Sequence, residues 1–159
     1  MTRGELLALA AGALIVTGTA AVAWKTRGER NRNPGNLRPG GGQWLGLSAR
    51  QTDPGFLQFD NEVWGIRAAA LLLRTYGRRG WNTLREIVSR WAPSSENDTA
   101  AYVAALSSST GYLPDAPLQL SDRATARRVL TGIIRHENGR VAYPDATIDR
   151  ALDLAGFRP

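Results

Sequence analysis

The alternation of apolar and polar positions divides the chain into three stretches. From Leu6 to Trp24 no residue is charged. Residues 25–59 hold turn-forming runs and two short apolar pieces, WLGL and FLQF, on either side of a Thr-Asp-Pro-Gly turn. From residue 60 onwards, apolar residues recur at the three- and four-residue spacing of amphipathic helices. The pattern therefore predicts an uncharged segment, a small hairpin region and a helical body.

The uncharged stretch from Leu6 to Trp24 is long enough for a membrane-spanning helix. As a helix its residues would extend about 28 Å, close to the thickness of the hydrocarbon layer. Trp24 stands at its end, where interfacial aromatic residues are common. We therefore predict a transmembrane segment in residues 1–26 and a separate domain in residues 27–159. A permanent anchor, a cleaved signal peptide, a signal-anchor that later leaves the membrane and a buried core helix remain open alternatives.

The charges that flank residues 6–24 bear on orientation and location. Positive charge is concentrated after the segment, and this asymmetry favours an inner-side location for the domain. That orientation conflicts with simple export to the cell wall. We expect a membrane-associated protein, either in a virion, at its inner or viral membrane, or at the host inner membrane facing the periplasm.

The remaining pattern predicts an α+β fold that is mainly helical. Residues 25–43 contain Asn-Pro-Gly, Arg-Pro-Gly and a Gly run, which favour turns, and Trp44–Phe59 is predicted to form two short strands. Four or five helices follow. Their predicted N-terminal caps are Asp60, Thr83, Asn97 or Asp98, Ser121 and Asp145.

Composition narrows the chemistry that the chain can perform. It has no cysteine and a single histidine, His136, which excludes disulfides, cysteine zinc sites and histidine-rich metal sites. Catalysis would have to come from carboxylates, hydroxyls or backbone groups, and we expect neither a metal nor a cofactor. The net charge of +6 and the pI of about 10.7 indicate an anionic partner: nucleic acid, anionic lipid or cell-wall polymer.

Carboxyl groups beside a cleft can cleave glycosidic bonds, and four are candidates here. Glu29 precedes a Gly-rich turn, although it could simply offset neighbouring arginines. Asp53 lies between the two predicted strands, where a turn role is the alternative. Glu62 opens a helix, where it would complement the helix dipole. Glu96 lies in the polar loop PSSENDT, as part of a cap cluster or a cleft wall.

Other residues qualify for supporting roles. Glu137 lies at a helix end where a carboxylate is unfavourable, so it needs either an arginine partner or a function. Tryptophan and tyrosine rings stack on sugars, and Trp44 and Trp81, which lie in turn regions, are better placed to line a groove than Trp91. Tyr102 is also available for such a role.

Four ordered blocks of the sequence resemble a protein family of phages and prophages. Residues Arg30–Arg38, RNRNPGNLR, are similar to that family's RNNNPGNIR opening. The remaining blocks are Gln51–Asp60 with the following WGIRA, Trp91–Tyr102 with its WAP and ENDT motifs, and HENG with Tyr143-Pro144. The resemblance covers residues 27–156. The family comprises virion structural proteins with an NPGN(I/L)R motif and a lysozyme-like domain, and it is distantly similar to flagellar-type glucosaminidases.

This resemblance implies a lysozyme-like fold and peptidoglycan as the ligand. In such folds the general acid ends a helix that leads into a hairpin, which implies Glu29. The second carboxylate of hairpin-type muramidases and glucosaminidases lies on the hairpin turn, which implies Asp53. Within the resembling blocks, substrate binding is expected at Asn36, Gln51 and Tyr102, alongside Trp44 and Trp81.

Two functions from different classes remain open. The first is a phage-type peptidoglycan hydrolase, either a muramidase, a glucosaminidase or a lytic transglycosylase, used in genome delivery or host lysis. The alternative is a non-catalytic, membrane-tethered virion structural or cell-wall-binding protein with other virion proteins as partners. Nucleic-acid binding is disfavoured, because the basic cluster after Trp24 is explained by the predicted membrane segment.

Overall fold

The computed structural model describes residues 24–40, 42–92 and 98–158. Six helices lie within these ranges, and turns and irregular segments connect them. In chain order the helices are α1 (Arg27–Arg30), α2 (Glu62–Arg78), α3 (Leu84–Trp91), α4 (Thr99–Thr110), α5 (Arg123–Asn138) and α6 (Asp145–Leu154). The described part of the chain is thus an all-helical fold, and the predicted α+β, lysozyme-like class is wrong.

The predicted hairpin in Trp44–Phe59 is reduced to one antiparallel bridge, between Leu47 and Phe59. Glutamine side chains take the hydrogen bonds that a strand ladder would need. The Gln51 amide donates to the carbonyls of Ser48 and Gln58, and the Gln58 N–H donates to Gln51 Oε1. The backbone N–H of Phe59 turns the other way and donates to the carbonyl of Asn31. The apolar alternation is therefore present without strands.

The fold-class prediction also included a transmembrane helix. No helix among residues 24–40, 42–92 and 98–158 is both long and apolar enough to cross a membrane. The predicted segment, residues 6–24, lies outside the described residues except for Trp24, whose side chain is 90% exposed.

The helical body forms around α2 and α5. Helix α2 packs against α5 and α6, while α4 packs against α3 and α5. Helices α2 to α6 each bury apolar side chains, and burial of one Leu or Ile side chain contributes about 1.5–3 kcal/mol. Helix α5 shows such an inner face clearly. Its fully buried apolar residues are Ala126, Val129, Leu130, Ile133 and Ile134.

Several helix starts agree with the sequence pattern. Thr83 forms the predicted capping box with Glu86 at the start of α3, and Asp98 caps α4. For α2 and α5 the capping side chain is one residue later than predicted, because Asn61 and Asp122 supply the oxygen that accepts a backbone N–H. Helix α6 begins at Asp145, and Pro144 occupies the cap position without a side-chain hydrogen bond.

The segment after α1 is locked against the helical body through a turn that we call the NPGN turn, Asn33–Asn36. The fully buried Asn33 amide donates to the carbonyls of Leu37 and Leu57 and accepts the Leu37 N–H. The Trp91 indole N–H donates to the Gly35 carbonyl. The Asn33 bonds hold the NPGN turn to the loop at Leu57, and the Trp91 bond attaches the turn to α3.

Candidate functional site

Helix α1 is only four residues long, and its capping box sets the position of Glu29. Thr26 Oγ1 accepts the Glu29 N–H at 3.2 Å, while the Thr26 N–H donates to Glu29 Oε2 at 3.0 Å. Thr26 Oγ1 also donates to Asn138 Oδ1, at the end of α5. Gly28 is buried beside Asn138, where a side chain would collide with the asparagine amide. The carboxylate of Glu29 is therefore fixed by backbone contacts on α1.

Arg140 holds the Glu29 carboxylate through two parallel hydrogen bonds. Arg140 Nε lies 2.8 Å from Glu29 Oε1, and Nη2 lies 2.9 Å from Oε2. The Glu29 side chain is 6% exposed and that of Arg140 is 43% exposed. The hydrogen bonds from Arg140 lower the pKa of Glu29, and they outweigh burial, which raises it. Glu29 is therefore ionised at neutral pH in this arrangement.

Glu29 and Glu62 line the same cavity, whose volume is about 250 Å³. It lies between α1, the start of α2 and the connection from α5 to α6. Its lining residues are Lys25, Glu29, Arg32, Glu62, Arg140, Ala142, Tyr143 and Pro144. Three cations and two carboxylates thus face one small space, which we call the Glu29 cavity.

Tyr143 contributes an uncharged donor to the Glu29 cavity. Its hydroxyl is buried and has no hydrogen-bond partner in the described part of the chain. Burial, with the negative charges of Glu29 and Glu62, raises the pKa of Tyr143 to about 12. The hydroxyl therefore stays protonated at neutral pH and can donate a hydrogen bond to a ligand.

Asp53 lies at a different place from Glu29. Its carboxylate accepts hydrogen bonds from Arg27 Nε at 2.7 Å and Arg27 Nη2 at 2.5 Å, and from the Asn31 amide at 2.7 Å. These bonds, first those from Arg27, hold the pKa of Asp53 well below its usual range. Asp53 does not line the Glu29 cavity. Its contacts support the 53–56 turn, since it also accepts the N–H groups of Gly55 and Phe56.

Of the other two predicted carboxylates, Glu62 and Glu96, only Glu62 lies in the described part of the chain. Glu62 follows the cap residue Asn61 on the first turn of α2, and this position brings it to the Glu29 cavity. Glu96 lies in residues 93–97, outside the described residues.

The structure joins two predicted binding residues, Asn36 and Tyr102, through Glu137. The Asn36 amide donates to Glu137 Oε2 and the Tyr102 hydroxyl donates to Oε1, each at 2.8 Å. Asn36 adopts a left-handed backbone conformation with φ of 49°, which its short polar side chain tolerates. Tyr102 is 3% exposed and its ring stacks on His136. Glu137 therefore uses neutral donors at its helix end, and it organises the NPGN turn.

The remaining predicted binding residues lie away from the Glu29 cavity. Trp44 and Trp81 are partly buried against the core, and the Arg90 guanidinium lies 3.8 Å from the Trp81 ring centroid. The exposed Gln51 is engaged in the 48–58 loop. Arg140 and Tyr143, which do line the cavity, were not predicted from the sequence. The sequence feature that could have indicated them is their position in the fourth block, where Arg140 directly follows HENG and Tyr143 belongs to the Tyr-Pro pair.

Among residues 24–40, 42–92 and 98–158, no group of three or more histidine, aspartate and glutamate side chains is arranged to hold a metal ion. The chemistry available at the Glu29 cavity is that of carboxylates, cations and a tyrosine hydroxyl.

Comparison with known proteins places the chain among phage proteins. No protein-family profile matches it. Protein P5 of Pseudoalteromonas phage PM2 is 37% identical over 131 residues, which amount to 80% of this chain and 80% of P5. This similarity confirms the expected relationship to a phage protein, and it spans most of both chains.

Proposed function

The chain belongs to the family of Protein P5 of phage PM2, and from this premise we propose a phage-particle protein that cleaves the glycan strands of peptidoglycan. The observation that carries the proposal is the Glu29 cavity, where a buried carboxylate, a second carboxylate and a tyrosine hydroxyl converge. Glycosidic cleavage by protein side chains most often uses a pair of carboxyl groups, one of which acts as the acid.

The two carboxylates differ in their contacts, and the difference suggests their roles. Glu29, whose side chain is 6% exposed beneath Arg140, is suited to donate a proton, because a partly desolvated carboxyl group favours its neutral form once no cation holds it. Glu62, at the half-exposed start of α2, is suited to stabilise positive charge on the sugar or to orient water. In the reaction the glycosidic C–O bond breaks, the Glu29 proton passes to the leaving oxygen, and water adds to the anomeric carbon.

The charges of the cavity support an anionic glycan as the substrate. Lys25, Arg32 and Arg140 line it, and they outnumber its two carboxylates. Peptidoglycan carries free carboxylates on its stem peptides, whereas neutral polysaccharides do not. Complementary charge raises the association rate and orients an incoming polymer.

A second candidate is a non-catalytic particle protein that binds the cell wall. It is favoured by the Arg140–Glu29 pair, because a bidentate ion pair is also a common structural contact. The same cations would then hold the wall polymer without cleaving it.

Turbidity loss of purified peptidoglycan with the full chain separates the two candidates. We expect clearing by the wild type, a loss of about 100-fold or more in Glu29→Gln, and a smaller loss in Glu62→Gln. Asp60→Asn is the matched control, because Asp60 lies two residues from Glu62 and does not line the cavity. Asp53→Asn should keep activity, and Glu96→Gln tests the carboxylate of residues 93–97.

The outcomes lead to different conclusions. Clearing that is lost in Glu29→Gln and retained in Asp60→Asn supports the hydrolase, and analysis of the released ends identifies the bond cleaved. A wild-type protein that sediments with the wall without clearing it refutes the hydrolase and supports the wall-binding protein.

A further inference from the structure

The bidentate pair between Glu29 and Arg140 opposes proton donation by Glu29. Both carboxylate oxygens accept hydrogen bonds from the guanidinium, and Oε2 also accepts the Thr26 N–H. A carboxylate that accepts these hydrogen bonds is ionised at neutral pH and carries no proton to donate. If Glu29 is the acid, its contact with Arg140 must be broken before the reaction.

The two partners are unequally fixed, and this indicates which one moves. Glu29 is held by the capping box of α1 and is almost fully buried. Arg140 is 43% exposed and lies in the connection between α5 and α6, just after Gly139, which ends α5 in a left-handed conformation. The Arg140 side chain can therefore turn towards solvent while the helices keep their positions.

We propose that a carboxylate of the peptidoglycan muramyl-peptide chain takes Arg140 away from Glu29, so that only an anionic glycan converts Glu29 into a proton donor. This inference rests on the proposed function and assigns Arg140 as a specificity-determining residue of the same site. A guanidinium binds a substrate carboxylate with the same two-bond geometry that it uses with Glu29, so the exchange replaces one ion pair by another.

The exchange removes the contact that lowers the pKa of Glu29 most, which is the pair of hydrogen bonds from Arg140. Burial raises the pKa of Glu29, while the Thr26 N–H and the charge of Lys25 still lower it, so its pKa is higher than in the Arg140 pair. The neutral hydroxyl of Tyr143 does not add charge. The proton comes from water in the open cavity, passes to the leaving oxygen as the C–O bond breaks, and is replaced by a proton of the attacking water.

The first arm of the test compares cleavage of native peptidoglycan with the same material after its carboxylates have been coupled to ethanolamine. We expect the wild type to cleave the native polymer roughly tenfold faster or more, because Arg140 stays on Glu29 without a competing anion. Arg140→Gln should lose this preference and cleave both materials at similar rates. Arg150→Gln, an exposed arginine of α6 outside the cavity, is the matched control and should keep the preference.

The second arm is independent of catalysis and follows the Glu29 carboxyl by carbon NMR, with Glu29→Gln assigning its signal. N-acetylmuramyl dipeptide should raise the pKa of Glu29 in the wild type. In Arg140→Gln the pKa of Glu29 should already be raised without the dipeptide, and the dipeptide should not change it further.

Two outcomes would overturn the inference. One is a Glu29 pKa in the wild type that does not change when the dipeptide binds, and the other is an Arg140→Gln variant that keeps the preference for native polymer. A pKa response without any cleavage would refute the proposed hydrolase and keep Arg140 as an anion-binding residue.

Discussion

Two acidic residues near α1 are each held by an arginine, and they differ in the space that they face. Glu29 pairs with Arg140 in the cavity that also contains Glu62. Asp53 pairs with Arg27 and receives further bonds from the turn around it. The same type of ion pair thus belongs to a candidate reaction site in one case and to a supporting turn in the other.

Asp53 leads to a prediction about stability and pH. Its pKa in the folded protein lies below the usual value of 3.8, because of hydrogen bonds from Arg27. A carboxylate with a lowered folded-state pKa stabilises the protein above its unfolded-state pKa, and the contribution disappears as pH falls through the folded value. Chemical denaturation should therefore show that Asp53→Asn destabilises at pH 7 and that its difference from the wild type shrinks below about pH 4.

Asp60→Asn is the control for this prediction, because it removes an exposed carboxylate that makes no arginine ion pair among the described residues. Its free energy of unfolding should stay close to that of the wild type at pH 7. An Asp53→Asn difference that stays constant between pH 7 and pH 3 would show that the Arg27 pair does not stabilise the fold.

At the scale of elements, the close approach of α2 to the segment after α1 shapes the site. Gly65 of α2 lies against the backbone of Arg32 and Asn33. This contact brings the start of α2, with Glu62, towards Glu29. A glycine within a helix is normally unfavourable, so its presence here is explained by the space that the neighbouring backbone leaves.

Gly65→Ala should therefore destabilise the protein by roughly 1–3 kcal/mol, the cost of overpacking, although alanine is the better helix former. A Cβ atom at residue 65 would collide with the Arg32 carbonyl oxygen, and a backbone atom cannot move aside as a side chain can. Urea denaturation measures the change. Gly132→Ala in α5 is the comparison, because its Cβ would meet the side chains of Thr110 and Ser109 at 3.1 and 3.3 Å. A loss of stability in Gly65→Ala that is equal to or smaller than the loss in Gly132→Ala would contradict the backbone collision.

For the whole molecule, Arg123 connects the start of α5 with α6 and with the end of the described chain. Its guanidinium lies 2.6 Å from Asp153 Oδ1 and 2.9 Å from the Phe157 carbonyl, and it also donates to the Asp149 carbonyl at 3.1 Å. Because α6 packs on α2 as well, these bonds help to close the helical body.

We expect Arg123→Gln to lower the free energy of unfolding by about 1–3 kcal/mol, since the carbonyl oxygens that accept hydrogen bonds from Arg123 lose a charged donor. Arg85→Gln is the control, because the Arg85–Asp115 pair is largely exposed and should matter little. Thermal and urea unfolding of both variants give the comparison. An equal loss in the two would mean that Arg123 acts only as a surface ion pair.

The sequence alone determined the features that depend on residues within one or two helical turns. The apolar stripe of α5 and the capping box at Thr83 are of this kind, because helix periodicity and capping act over three to four positions. The phage relationship was likewise visible in ordered motifs. The hairpin could not be predicted correctly, because the side chains of Gln51 and Gln58 compete for the backbone bonds of a ladder. Only the tertiary structure decided which charged groups meet: Glu29 and Arg140 are 111 positions apart, and packing of α1 against α5 brings them together.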